Sequence, residues 1–211
     1  MTTSRDLFLV SIDMSTGRPV ERGDLSLALA GAEVIDLMDA RAVRVEEDRL
    51  VPGDRPATTD RLLAGAAASL VRQEPYETVA DWLWRRGRGL AAAYLADLEA
   101  DGQITRAQHR RWKVFRTSRT VLTDSPARRL AASRWAADEP VLAALAAAVG
   151  IQDGRTEDDD RWTEDTSGTV SDAVETVLTE VEDAVAELVA ERQRRVWRRE
   201  EAAEENRRRG Y

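Results

Sequence analysis

The stretch Asp24-Leu25-Ser26-Leu27-Ala28-Leu29-Ala30-Gly31-Ala32-Glu33-Val34-Ile35-Asp36-Leu37-Met38 decides the fold class. Leu25, Leu29, Val34, Ile35, Leu37 and Met38 recur with a helical period, and Asp24 is expected to cap the first turn by accepting its free amides. Directly after it, Val43 and Val45 alternate with Arg44 and Glu46. Leu50-Val51 follow a polar turn, and Pro52-Gly53 end the run. The pattern reads as a helix feeding a short β-hairpin.

The same sequence of signals recurs downstream. Thr59 to Gln73 is rich in Ala and Leu, and Pro75 and Tyr76 are expected to open a helix through Trp82 and Leu83, broken at Gly87 and Gly89. Leu90 to Ala100 forms the next helix, ended by Asp101-Gly102 with glycine just past the last turn. Two β-like runs are expected next, Arg111 to Phe115 and Thr120 to Thr123. Ser125 and Pro126 then announce a helix carrying Arg128, Arg129 and Arg134, and Pro140 starts another. Residues 151–168 are polar and acidic and read as a mobile loop. The final helix carries one apolar stripe, from Val170 through Val174, Val177, Val181 and Val185 to Leu188, and residues 196–211 form a charged extension. The expected architecture is mainly α, with two small hairpins, in a single domain over 1–211.

Composition narrows the function. Thirty-one basic against thirty-nine acidic residues give a net charge of −8, and 43% of residues are hydrophobic. The charge is uneven, because Arg106 to Arg134 holds nine basic residues and one acid, Asp124, or +8, which leaves −16 elsewhere. Such a segment can hold anions although the chain as a whole is acidic. With no cysteine, disulfides and thiolate chemistry are excluded. Residues 1–6 carry no leader pattern and no apolar run is of spanning length, so a cytoplasmic protein is expected, peripheral on the inner face of the membrane.

No catalytic group, cofactor or metal site is expected. His109, the sole histidine, sits among Arg106, Arg110 and Arg111, whose charges oppose the imidazolium a serine-type triad requires. Gly87-Arg88-Gly89-Leu90-Ala91-Ala92 spells a dinucleotide fingerprint but follows a helical pattern, whereas the phosphate loop must follow a strand. Glu157 to Asp160 are contiguous acids that lack the spacing and glycine of a calcium loop.

The basic segment remains. Arg116 and Arg119 on the second hairpin and Arg128, Arg129 and Arg134 on the next helix are interleaved with Trp112, Phe115 and Trp135. Planar guanidiniums fit phosphate by paired hydrogen bonds. An anionic phospholipid or phosphoinositide headgroup is the leading partner, with Trp135 at the membrane surface. A protein partner or a second copy is the alternative, and winged-helix binding of nucleic acid the least favoured. The plain competing reading is that these arginines pair with carboxylates elsewhere in the chain.

Several motifs in order resemble the Golgi phosphoprotein 3 (GPP34) family as found in actinobacteria. They are the opening Leu7 to Asp13 with Thr16-Gly17-Arg18-Pro19, the stretch Leu29 to Leu37 with Ala40-Arg41-Ala42-Val43, and Glu77-Thr78-Val79 with Trp82-Leu83. Leu95 to Thr105 and Ala127-Arg128-Arg129-Leu130 complete the set, which spans about residues 6–195. The resemblance implies a mainly α domain with its core at about 6–195, a central four-helix bundle surrounded by amphipathic helices and one or two short hairpins, which binds phosphatidylinositol 4-phosphate at a membrane. It carries the family's headgroup residues onto Arg129, with Arg128 beside it and Arg134 as substitute for a basic position near Ala132. The family's helix arginine falls at Ala30, and its tryptophan near Glu21, where Arg18 and Arg22 are the nearest cations. An altered headgroup site is therefore expected, built from Arg128, Arg129, Arg134, Arg119, Arg116 and Arg22.

Overall fold

The computed structural model describes residues 2–13, 20–54, 58–108, 118–151 and 170–209; the side chains of 106–108 and 118–121 are not described. His109, Arg116, the strand expected at Arg111 to Phe115 and the acidic run Glu157 to Asp160 lie outside the described residues. So does all of the expected acidic loop except Ile151. The mainly helical class holds, with eight helices and four strands among the described residues. They are α1 (Thr3–Asp13), α2 (Arg22–Asp39), β1 (Val43–Glu46), β2 (Arg49–Pro52), α3 (Arg61–Ala68), α4 (Val79–Arg86) and α5 (Leu90–Ala100). The chain continues through β3 (Ile104–Gln108), β4 (Ser118–Leu122), α6 (Pro126–Ala136), α7 (Pro140–Ala148) and α8 (Asp172–Arg208).

At the centre lies α2, buried at every position from Asp24 to Leu37. A helix covered on all sides belongs to the core, and α1, α4, α5 and α8 pack against it. Its small residues set the spacing. A Cβ on Gly31 would lie 2.3 Å from Val181 Cγ2 of α8, so only glycine permits that crossing. Trp82 of α4 is fully buried and donates its indole N–H to Ala30 O at 3.1 Å.

The expected cap at Asp24 is displaced. Helix α2 begins at Arg22 with Glu21 in the cap position, and Asp24, within the first turn, pairs with Arg192 of α8. An acid there still meets the positive end of the helix dipole, which explains the sequence signal. Two helices are shorter than expected. Asp60 caps α3 by accepting Leu62 N and Leu63 N, and α3 stops at Ala68. The segment before α4 stays extended because Leu50 N donates to Glu77 O and Val79 N to Asp48 O, which ties it to the first hairpin. Thr78 then caps α4.

Both hairpins form. In the first, Val43 pairs with Pro52 and Glu46 with Arg49. In the second, Ile104 pairs with Leu122 and Gln108 with Ser118, so its first strand begins at Ile104, two residues after Gly102 and earlier than expected. Ile104 and Leu122 anchor it in the core. Gly87 closes α4, and Gly89, at φ 73°, opens α5; this pair is a helix break, as its spacing suggests.

Helix α8 runs for about 55 Å. Val177, Val181, Ala184 and Val185 bury against the body, while every residue from Gln193 to Arg209 is exposed. Among the described residues, no helix is long and apolar enough to cross a membrane.

Candidate anion-binding surface

Helix α6 carries the arginines singled out by the sequence. Its start follows the expected chemistry, with Ser125 Oγ accepting from Arg128 N at 3.1 Å and Pro126 in the first turn. It packs along α1 with Ala131 and Trp135 buried. An ion pair stands near each end of this contact. At one end Arg128 forks onto Asp13, with Nε at 3.1 Å and Nη2 at 2.7 Å from its two oxygens. At the other, Arg134 pairs with Asp6 through Nη1 and with Glu139 through Nη2 at 3.1 Å. The two pairs fix α6 antiparallel to α1.

These contacts shift the charges. The hydrogen bonds that Arg128 donates to Asp13 raise the Arg128 pKa above its ordinary value. Burial opposes the charge of Arg134, but Asp6 and Glu139 outweigh it and leave its pKa raised. Burial also pushes the Asp6 carboxyl up, with Arg134 pulling the other way. Asp6 is fully buried, and its Oδ1 has no hydrogen-bond partner among the described residues, so its charge is incompletely compensated.

Arg129 lies about 100° around the helix from Arg128 and faces solvent. Its side chain is 63% exposed, and its Nη1 is 3.0 Å from both oxygens of Asp124, itself 72% exposed. Beside it, Leu130 is 47% exposed. A cation and an apolar side chain, adjacent and open, can meet phosphate and acyl-chain surface together.

Among the described side chains, the expected site residues do not converge on one hollow. Leu9, Val10, Asp13, Arg128, Ala131 and Ala132 line a space of about 10 Å³, room for about one water and too small for a phosphate. A larger hollow of about 250 Å³ has Arg134 on one wall but Asp39 and Glu139 on others, which disfavours an anion. Arg22 is exposed at the start of α2, with no ion pair among the described residues. Arg119 stands opposite Ala107 in the second hairpin, and its side chain is not described. Trp135, expected at a membrane surface, is instead only 8% exposed. It faces the core because Ala131, one turn earlier, sets the buried side of α6. Of the positions aligned with family headgroup residues, Ala30 is fully buried and Glu21 is exposed.

Sequence reasoning missed the buried charges. Glu33, fully buried, accepts Arg86 Nε at 2.7 Å and Nη2 at 2.9 Å, and the Tyr94 hydroxyl at 3.2 Å. Asp36 accepts Thr3 N at 2.7 Å and Ser4 N at 3.0 Å, capping α1 from a neighbouring helix. Arg5 joins α1 to Asp60 at 2.6 Å and to Asp97. The available signal was an acid in the middle of an apolar run, at Glu33 and at Asp36.

No curated protein matches the chain. The family model for Golgi phosphoprotein 3 (GPP34) matches residues 4–192, from the first turn of α1 to the arginine that pairs with Asp24. The chain therefore belongs to the Golgi phosphoprotein 3 (GPP34) family.

Proposed function

We propose that the protein is a non-enzymatic, peripheral binder of anionic membrane surfaces, acting from the cytoplasmic side through the second hairpin and the open face of α6. The observation that carries this reading is the adjacent pair Arg129 and Leu130, both exposed, within a segment of net charge +8. Family membership supports it. A phosphoinositide headgroup is the ligand whose phosphate chemistry suits Arg129 best, with Arg116, Arg119 and Arg22 as further cations. The ion pairs of Arg128 and Arg134 give these two a positioning role: they hold α6 on α1 so that Arg129 faces outward. No cofactor enters the reading.

Co-sedimentation with vesicles tests it. The protein is expected to pellet with phosphatidylcholine vesicles containing phosphatidylserine or phosphatidylinositol 4-phosphate, but not with phosphatidylcholine alone. A basic residue near an anionic surface contributes about 1 kcal/mol, so Arg129→Glu should weaken binding about tenfold or more. Equal pelleting with neutral and anionic vesicles at low salt overturns the proposal. A second reading, a protein-interaction adaptor, is favoured by the pairing of all three α6 arginines with carboxylates. Absence of vesicle binding, together with complexes that survive high salt in a pull-down, would support it.

A further inference from the structure

The family match ends at Arg192, yet α8 continues for about 25 Å. From Gln193 to Arg209 every residue is exposed, including Val196 at 50% and Trp197 at 61%. A helix without tertiary contacts depends on its own side-chain pairs, and like charges four residues apart weaken it. Four such pairs occur here: Arg194 with Arg198, Arg195 with Arg199, Glu200 with Glu204, and Glu201 with Glu205. Glu191 relieves part of the basic block, lying 3.0 Å from Arg194, 2.8 Å from Arg195 and 3.1 Å from Arg198. Hydrogen bonds from Arg195 and Arg194 hold its carboxyl down to about 2. Arg199, Glu200 and Glu201 have no ion pair among the described residues. Charges are thus collected into a basic block, Arg194 to Arg199, and an acidic one, Glu200 to Glu205, whose last two acids also pair with Arg208 and Arg209 of the same helix.

The blocks are complementary to their own reversal. We propose that this extension is a self-association helix, through which two copies of the chain pair antiparallel about a two-fold axis between Arg199 and Glu200. Reversal about that point sets Arg199 level with Glu200 of the second copy, Arg198 with Glu201, Arg195 with Glu204 and Arg194 with Glu205. At about 100° per residue, Arg194, Arg198, Glu201 and Glu205 share one face of the helix, so Arg194 with Glu205 and Arg198 with Glu201 are the matches that meet across the pair. The one like-charged match, Arg192 with Arg207, is relieved because Arg192 is engaged by Asp24 of its own body. A parallel pairing would set each block against its like. The interface is isologous, so it closes at two copies. Few apolar residues are available to it, and charge supplies most of the specificity.

Sedimentation velocity on the full chain tests this. A dimer is expected at about 100 μM protein and low salt, dissociating in about 1 M salt, where screening acts within about 3 Å. Two charge-reversed variants carry the decision. One has Arg194→Glu, Arg195→Glu, Arg198→Glu and Arg199→Glu; the other has Glu200→Arg, Glu201→Arg, Glu204→Arg and Glu205→Arg. Each alone should self-associate at least tenfold more weakly, and an equimolar mixture should restore a dimer, even where either extension unwinds by itself. Orientation is read with introduced cysteines, since the chain has none of its own. Arg194→Cys mixed with Glu205→Cys should form a disulfide across copies more readily than either variant alone, because the antiparallel pairing sets these positions face to face. A wild-type monomer at low salt, dimers that persist in both reversed variants, or a mixture that stays monomeric overturns the proposal. Faster cross-linking of Arg194→Cys with itself overturns the antiparallel arrangement.

Discussion

Two arginine–carboxylate pairs make nearly the same hydrogen bonds in opposite surroundings. Arg86 forks onto Glu33, whose side chain is 0% exposed, while Arg129 meets both oxygens of Asp124, which is 72% exposed. In the interior no solvent or ligand can replace the lost partner, so the pair holds α4 to α2. At the surface water and outside anions compete at little cost, so the pair leaves its cation available. An arginine is therefore open to an external phosphate according to the burial of its carboxylate, and a count of arginines along the sequence does not supply that. Arg128 and Arg134 lie between the extremes, and Arg134, on fully buried Asp6, stands nearer to Arg86.

The largest expected effect breaks the buried member of the comparison. Glu33→Ala leaves the Arg86 guanidinium without its partner in the core and should cost about 3–5 kcal/mol in urea unfolding. Replacing both groups with apolar side chains of similar size, Glu33→Leu with Arg86→Met, should cost less than Glu33→Ala alone. A loss below about 1 kcal/mol for Glu33→Ala would show that the pair with Arg86 does not clamp α4 to α2.

These two pairs also mark what the sequence could reveal. Periodicity located α2, α5, α6 and α8 because an apolar stripe and a cap are local properties, readable from residues such as Leu29, Ser125 and Gly102. Helix starts moved where a distant group intervened: Asp24 turned to Arg192, and the segment before Val79 was held extended by Leu50 and Asp48. The family resemblance rested on motif order, and the family match over residues 4–192 agrees with it. The site was less legible. Arg128 and Arg129 are neighbours in sequence, yet one is locked on Asp13 and the other open, because about 100° of helix rotation separates a packed face from a solvated one. Trp135 illustrates the same point, since its place on the buried stripe outweighs its preference for an interface.

A middle-sized effect sharpens the comparison through pH. Burial raises the Asp6 carboxyl above the ordinary carboxylate range, so the folded chain takes up this proton at a higher pH than the unfolded chain does. The associated stability is fully present below the unfolded pKa and is lost as pH rises through the folded one. Relative to wild type, Asp6→Asn should flatten that part of the stability profile as pH rises above about 4. Urea midpoints measured across the range decide it. Parallel profiles for the two proteins would show that Arg134 fully compensates Asp6.

The smallest stability effect belongs to the open pair and speaks most directly to function. Asp124→Ala should change unfolding free energy by no more than about 1 kcal/mol, because an exposed ion pair contributes little. Its effect on vesicle binding should be larger than its effect on stability. Asp124 is the one acid between Arg106 and Arg134 and shields the most open α6 arginine. Removing it should raise affinity for anionic vesicles several-fold, about 1 kcal/mol per unit charge near the surface. Asp81→Ala, which removes the same charge from an exposed position on α4, serves as the control. If both variants bind vesicles equally, the gain comes from net charge alone. If only Asp124→Ala gains, and Arg129→Glu loses binding in the same assay, the membrane is reading Arg129 itself. In that case the difference between Arg86 and Arg129 is a difference between holding the fold and meeting the ligand.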